Sequence, residues 1–424
     1  DIYRVFPRQT NRKNTMTQTN PPAHVPTELV KDFDIYFAPS KRDPWEELSA
    51  LHDEAPDIFW NLKADPMVAN GTWVVTRQDI IKKIAQDTGN FSNNGMVGYA
   101  ESIGENWQLI PLEIDPPEHI YYRIILNKEL APKALDSLEP SIRRRAIALI
   151  EDIAKKESID FSDEFGMRFP IGVYFELTGL PEDKMPLFFG WVHTLLHTFE
   201  EEPRKNAIRS IREVLTEQIA DRRSNPSDDL TSKIVHAKVD GRSMTEDELI
   251  GALFMLFIGG QDTVTATIGS VFHYLATHPE DRERLRNASQ EELVDAVEEF
   301  LRLFSVVVAK RRVTQDVVIE GVQMKVGDYI AMIYSLGSLD PKHTACPMQA
   351  DFTRAPNRHV AFGMGPHRCV GSNLARMELR IAIEEWLKRI PEFSLDPDQE
   401  ILAHSGIYGL VNLPLILNNG ERTL

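Results

Sequence analysis

The strongest hydrophobic pattern lies between Leu249 and Ile258, where the side chains are apolar almost all round a helix. Thr245 and Glu248 stand three apart ahead of it as a capping box, and Pro279 lies beyond its end. The spacing predicts one long helix, buried on every side. A second periodic stretch follows Gly371, where Leu379, Ile383, Trp386, Leu387 and Ile390 recur on one helical face until Pro391 stops it. Ser289 and Glu292 cap a third helix. Residues 139–157 and 203–222 give two more, with 222–229 a polar loop. A helix near Trp45 is followed by Ile58–Leu62 and Gly71–Thr76, which read as a small hairpin. Residues 311–320 and 329–334 read as strands, and a terminal hairpin is expected around Ile407–Leu417. Asn90–Trp107 has no clean period and reads as a long loop or short helix, a length often tied to function. Asp115-Pro116-Pro117-Glu118 predicts a helix start capped by Asp115, which puts His119 and Arg123 on one face.

Composition narrows the function classes. The chain has 424 residues, 42% of them hydrophobic, enough for a large core. A net charge of −17 argues against a nucleic-acid partner. Two cysteines, Cys346 and Cys369, argue for a reducing compartment rather than a disulfide framework. The run from Leu249 to Gly260 falls short of the roughly 20 residues that cross a bilayer. A soluble, cytoplasmic protein with no membrane partner is expected. Residues 1–20 read as an N-terminal arm ahead of one unit spanning 21–424. Because Met16 can serve as a start, 1–15 are expected to be an added leader.

The richest chemistry lies in Phe362-Gly363-Met364-Gly365-Pro366-His367-Arg368-Cys369-Val370-Gly371. Alone, a cysteine is most often a small buried hydrophobe. Here Cys369 stands where a helix N-terminus favours a thiolate. Gly363 and Gly365 permit backbone shapes that a side chain forbids. Gly371 lets a flat ligand approach, Phe362 offers an apolar wall, and His367 can donate to an anion. A dinucleotide fingerprint is rejected, because Arg368 occupies the place of its third glycine.

The spacing F-G-x-G-x-H-x-C-x-G resembles the haem-binding signature of the cytochrome P-450 family, with Cys369 as the iron ligand. Gly259-Gly260-Gln261-Asp262-Thr263 resembles the family's oxygen-activation motif, with Asp262 and Thr263 delivering protons. Glu299-Phe300-Leu301-Arg302 resembles its buried ion pair. Asp-Pro-Pro-Glu, Gly-Val-Gln-x-Lys, Ala-Cys-Pro-Met and Arg-Ile-Pro-x-Phe-Ser place the chain nearest the soluble bacterial camphor-hydroxylase subfamily. The resemblance implies a mainly α (α+β) fold, a helical triangular prism with small sheets, haem b as cofactor, and dioxygen as co-substrate. It implies propionate binding by His119, Arg123, Arg311 and His367. Two glycines in a buried helix cost roughly 1 kcal/mol each relative to alanine. A kink at Gly259-Gly260 is therefore expected, opening room above the haem.

Counting from these motifs puts Trp107, Leu109, Leu112, Met255, Ile258, Val307 and Tyr408 at the substrate. They are mostly apolar, so a compact hydrophobic molecule is expected. Trp107 replaces the tyrosine donor of the camphor enzyme and Ala309 an aspartate, which argues against camphor itself and for a related cyclic monoterpenoid ketone or ether. Trp107 is read either as an indole donor to substrate or as bulk. Electrons are expected from a two-iron ferredoxin and its reductase, docked at Arg368 and Arg376. A peroxide-driven haem enzyme and a haem sensor are the other classes weighed, and neither needs the Asp262–Thr263 pair. His193 and His197 are spaced as a metal pair, but no third ligand stands at a motif distance, so they are read as solvated or pocket-lining.

Overall fold

The computed structural model describes residues 20–37, 39–63, 71–197 and 200–417. The expected arm over 1–20 lies almost wholly outside them. In chain order the helices that matter for the site are α1 (Pro44–Glu54), α2 (His119–Glu129), α3 (Glu139–Ile153), α4 (Arg168–Thr178), α5 (Glu201–Ser224), α6 (Glu246–Thr277), α7 (Gln290–Leu303) and α8 (Ser372–Arg389). The strands are β1 (Val30–Lys31), β2 (Ile58–Asn61), β3 (Thr72–Val75), β4 (Phe91–Ser92), β5 (Ser158–Asp160), β6 (Val308–Val313), β7 (Tyr329–Ile333), β8 (Phe393–Leu395) and β9 (Pro414–Leu417).

The 32-residue helix α6 is the axis of the molecule. Its capping box forms as expected: Glu248 N–H donates to Thr245 Oγ1 at 3.2 Å, and Thr245 N–H donates to Glu248 Oε2 at 2.7 Å. By length and hydropathy it could cross a membrane, yet 61% of its most apolar window is buried inside the protein. One core cluster packs Ile268, Val271, Phe272 and Leu275 of α6 against α3, α7 and Trp386 of α8. A second packs Leu249, Leu253, Phe254 and Phe257 against α4, α5 and the segment before α2. Burial of a large apolar side chain contributes about 1.5–3 kcal/mol, so these clusters dominate the fold.

The larger sheet has strand order β1-β2-β3-β7-β6-β4 and joins the first hundred residues to the last hundred and twenty. The β2–β3 hairpin is antiparallel, with Trp60 opposite Trp73. Three expectations need correction. Residues 311–320 do not form one strand, because β6 ends at Val313 and a separate strand runs over Val317–Ile319. The terminal hairpin is also two structures. Gly409–Leu410 pairs with Ala403–His404, whereas β9 leaves to join β8 and β5. Finally, α2 begins at His119, not at Asp115. The Asp115 carboxylate instead accepts from the Ser92 hydroxyl and the Asn93 N–H.

Candidate functional site

The loop from Phe362 to Gly371 closes on itself. Cys369 N–H donates to the Phe362 carbonyl at 2.8 Å, and Arg368 N–H to that of Gly365 at 3.1 Å. Gly363 and Gly365 take φ of 68° and 69°, which a side chain rarely adopts. A Cβ on Gly365 would also fall 2.4 Å from the Ala85 carbonyl oxygen. At Gly371 a Cβ would meet only the Cys369 sulfur, at 3.9 Å, so that glycine keeps the flank of the sulfur clear.

Cys369 precedes the first turn of α8 rather than standing in it. Its side chain is exposed to solvent at the bottom of a cleft in the protein. Burial pushes the thiol up, opposed by the Gly371 N–H and by Arg123, Arg368 and Arg376. The expected depression by the helix end alone is therefore corrected. Three guanidinium groups favour the thiolate, and a bound metal would complete its deprotonation.

Four cationic or neutral donors converge beside this loop. His119 is 1% exposed, and neither of its nitrogens has a hydrogen-bond partner among the described residues. His367 Nε2 is likewise unpartnered there, and the two imidazole centroids lie 4.3 Å apart. Arg311 projects from β6, 4% exposed, donating through Nη1 to the Lys310 carbonyl. Burial pulls its guanidinium pKa down. Arg123, one turn beyond His119, donates to the Arg368 carbonyl at 2.7 Å. Buried donors without acceptors cost about 1–3 kcal/mol each, so this cluster fits a doubly anionic ligand such as the two haem carboxylates. The expected propionate set is thus brought together beside Cys369.

Glu299 and Arg302 of α7 are wholly buried and joined by two 2.8 Å hydrogen bonds. Arg302 also donates to the carbonyls of Pro347 and Gln349, while Glu299 accepts from Asp351 N–H, Arg354 and Asn357. The pair therefore fixes the segment that feeds the cysteine loop. Arg354 and Asn357 were not foreseen, and no local pattern marks them.

In α6 the helix is continuous through Gly259 and Gly260, where the kink is expected. The Gly259 carbonyl accepts from Thr263 Oγ1 at 2.9 Å. Asp262 beside it is buried, and Gly260 is exposed, with nothing within 4 Å of a Cβ built there. An acid and a hydroxyl thus adjoin an open helix face. Glu378 of α8 was missed: it is buried, and burial raises its carboxyl well above the usual range.

The substrate residues divide. Leu109 is buried and Leu112 partly buried in the cluster that holds Met255 and Ile258. Val307 pairs with Ile407 across a bridge. Tyr408 points the other way, buried against Phe37 with its hydroxyl toward the Ile35 carbonyl at 3.4 Å. The hairpin position nearest Val307 is therefore Ile407, because neighbouring side chains alternate along extended chain. Trp107 is 4% exposed and stacks obliquely on Phe254, with centroids 5.0 Å apart. Its Nε1–H donates to Glu105 Oε2 at 2.6 Å. Of the two readings of Trp107, donor or bulk, the donor's hydrogen is here committed to Glu105.

Arg376, expected at the docking face, is partly exposed, pairs with both oxygens of Glu298 and lies 4.5 Å over the Phe362 ring. Arg368 remains exposed. The His197 side chain lies outside the described residues, among which no three metal-ligating side chains cluster.

The Cytochrome P450 family profile matches residues 171–406. Probable cytochrome P450 127A1 of Sinorhizobium fredii is 38% identical, covering 94% of this chain and 97% of its own. Polyketide biosynthesis cytochrome P450 PksS of Bacillus subtilis is 31% identical over 89% of this chain and 96% of its own. The crystal structure of CYP101J2 superposes with a TM-score of 0.83 at 30% identity, over 94% of this chain and 99% of that one.

Proposed function

The chain belongs to the cytochrome P450 family of haem-dependent monooxygenases, and on that premise we propose that it hydroxylates a compact hydrophobic substrate, a cyclic monoterpenoid ketone or ether, with electrons from a two-iron ferredoxin. The observation that carries the reading is the convergence of Cys369 with Arg123, Arg311, His119 and His367. Haem b, when bound through the Cys369 thiolate, supplies dioxygen activation, with the thiolate favouring O–O cleavage.

The protein's own part is holding, orienting and proton supply. His119, Arg123, Arg311 and His367 hold the carboxylate edge. Thr263 rests with its hydroxyl on the Gly259 carbonyl, and rotating it off would present a proton at Oγ1 to the open face of α6. Asp262, the adjoining residue in sequence, would return that proton. Leu109, Leu112, Met255, Ile258, Val307 and Ile407 supply the apolar wall that excludes water and holds the reacting C–H bond. The Asp262–Thr263 pair favours a monooxygenase over a peroxide-driven enzyme or a sensor. Both cysteines are free, in keeping with a cytoplasmic setting.

For the ferredoxin, Arg368 is the more exposed of the two expected docking cations. Arg123 of α2 touches its carbonyl, and α2 presents Ile120, Tyr121 and Ile124 to solvent nearby. A docking face of one arginine and an apolar ridge suits an acidic partner with an apolar centre. The reading is tested by turnover with a bacterial two-iron ferredoxin and its reductase under isotopically labelled dioxygen, across a panel of cyclic terpenoids. One labelled oxygen atom in an alcohol product is expected, with slower reduction in Arg368→Glu. Reductant consumption without labelled product from any compound would overturn the substrate class.

A further inference from the structure

The segment before α2 is tied to α5 through Glu105 and Arg212, while Tyr99 and Arg204 face a common cavity. Trp107 reaches Arg212 through Glu105: the indole N–H donates to Glu105 Oε2 at 2.6 Å, and Arg212 Nε lies 2.6 Å from the same oxygen. Both aromatic rings sit on Phe254 of α6, with centroids 5.8 and 5.0 Å away. Between the segment and α5 lies a cavity of about 340 Å³ lined by Gly95, Tyr99, Ser102, Arg204, Lys205 and Ile208 among others.

We propose that Glu105 is a positioning residue that sets substrate selectivity. It withholds the Trp107 N–H from the pocket and, through Arg212, clasps the 93–114 segment to α5. The reasoning is one of competing acceptors. A buried indole N–H takes the strongest acceptor in reach, and a carboxylate outcompetes a ketone. Trp107 therefore offers substrate only its carbon face, beside Phe254 and Ile258. The clasp has a weak half: Glu105 and Arg212 are 31% and 34% exposed, so salt screens their attraction. The indole half is donated by a neutral N–H and so depends little on salt.

The proposal deepens the monooxygenase reading and borrows its pocket, so its test has one arm that does not use the haem. Arg212→Ala, Glu105→Ala and the exchanged pair Glu105→Arg with Arg212→Glu are compared with wild-type holoenzyme. The first arm is amide hydrogen exchange over residues 93–114. Exchange should quicken in both single variants, quicken with salt in wild type, and be slower in the exchanged pair than in Glu105→Ala. The second arm is spin-state titration with camphor and bornane, one bicycle with and without a ketone. The camphor-over-bornane affinity ratio should rise about five-fold in Glu105→Ala, where the indole is released, and stay at the wild-type value in Arg212→Ala. The exchanged pair should regain protection but keep the raised ratio, because an arginine cannot accept the indole hydrogen. Unchanged exchange in both single variants, or an unchanged ratio in Glu105→Ala with both ligands bound, overturns the proposal. If neither bicycle binds, the terpenoid reading fails and the exchange arm alone decides the clasp.

Discussion

His119 and His367 face each other with ring centroids 4.3 Å apart, from a helix and a loop that are 248 residues apart in sequence. Burial, with Arg123 adding repulsion, holds the His119 pKa down to about 4. Burial with Arg311, His119 and Arg123 holds His367 at about 3. Both rings are therefore neutral at neutral pH, each with one N–H to donate, beside two permanent cations. Such a cluster is costly until an anion arrives.

That relationship predicts opposite effects of one substitution. Arg311→Met should raise the thermal midpoint of the haem-free protein, because it removes a charge buried to 4% exposure. It should also weaken haem retention by roughly ten- to hundred-fold, the value of one hydrogen bond to a charged group. Calorimetry and haem transfer to an apoglobin measure the two sides.

Thr263→Ala should leave haem binding intact and consume reductant while releasing peroxide instead of product. Thr263→Ser keeps the hydroxyl that reaches the Gly259 carbonyl and should restore most of the product yield. Asp262→Asn should slow turnover with less peroxide. Product formed per electron, with peroxide assayed in parallel, separates the three.

Gly251→Ala tests the seat of the substrate segment on α6. A Cβ there would lie 1.9 Å from the Gln108 carbonyl oxygen, and Gly251 also accepts the Ile110 N–H at 3.3 Å. Backbone has little room to yield, so about 1–3 kcal/mol of stability should be lost. Amide exchange in residues 105–114 should rise more than elsewhere. Gly321→Ala is not a fair control, since Gly321 has a φ of 82°. Gly269→Ala is, because it meets nothing within 4 Å.

Glu298 gives a pH dependence. Burial alone would raise its carboxyl, but hydrogen bonds from Arg376 and His359 hold it down to about 2, against the usual 4.5. A depressed carboxylate contributes stability above pH 4.5 and loses it as pH falls toward 2. The contribution is about 3–4 kcal/mol, since the pKa falls from 4.5 to about 2 and each unit is worth about 1.4. Denaturation of wild type and Glu298→Gln should differ by that amount at neutral pH and converge in acid. Because Arg376 then loses its partner over Phe362, the variant should also bind haem more weakly.

What was legible in the sequence was what short spacing decides. Helical period gave α6 and α8, and residue types fixed at single positions gave the cysteine loop, the Glu299–Arg302 pair and Asp262–Thr263. What escaped depended on distant partners. Asp115 was taken from its helix by Ser92 and Asn93, and Arg376 gained Glu298, 78 residues away, as a partner. Tyr408 was misplaced by a slip of one residue, which in extended chain reverses the face. Gly259 and Gly260 suggested a kink; the helix is continuous there, with the Thr263 hydroxyl on the Gly259 carbonyl. Trp107 was the nearest miss. Its acceptor Glu105 stands two residues upstream, a local signal that an indole N–H was already engaged.

The central claim is that Cys369 is the iron ligand. The reduced carbon monoxide complex of the haem-loaded protein should show the red-shifted Soret band of thiolate ligation. Cys369→Ala should lose that shift while His119, Arg123 and Arg311 still retain some haem. A red-shifted band that persists in Cys369→Ala, or its absence in the wild type, would contradict the account.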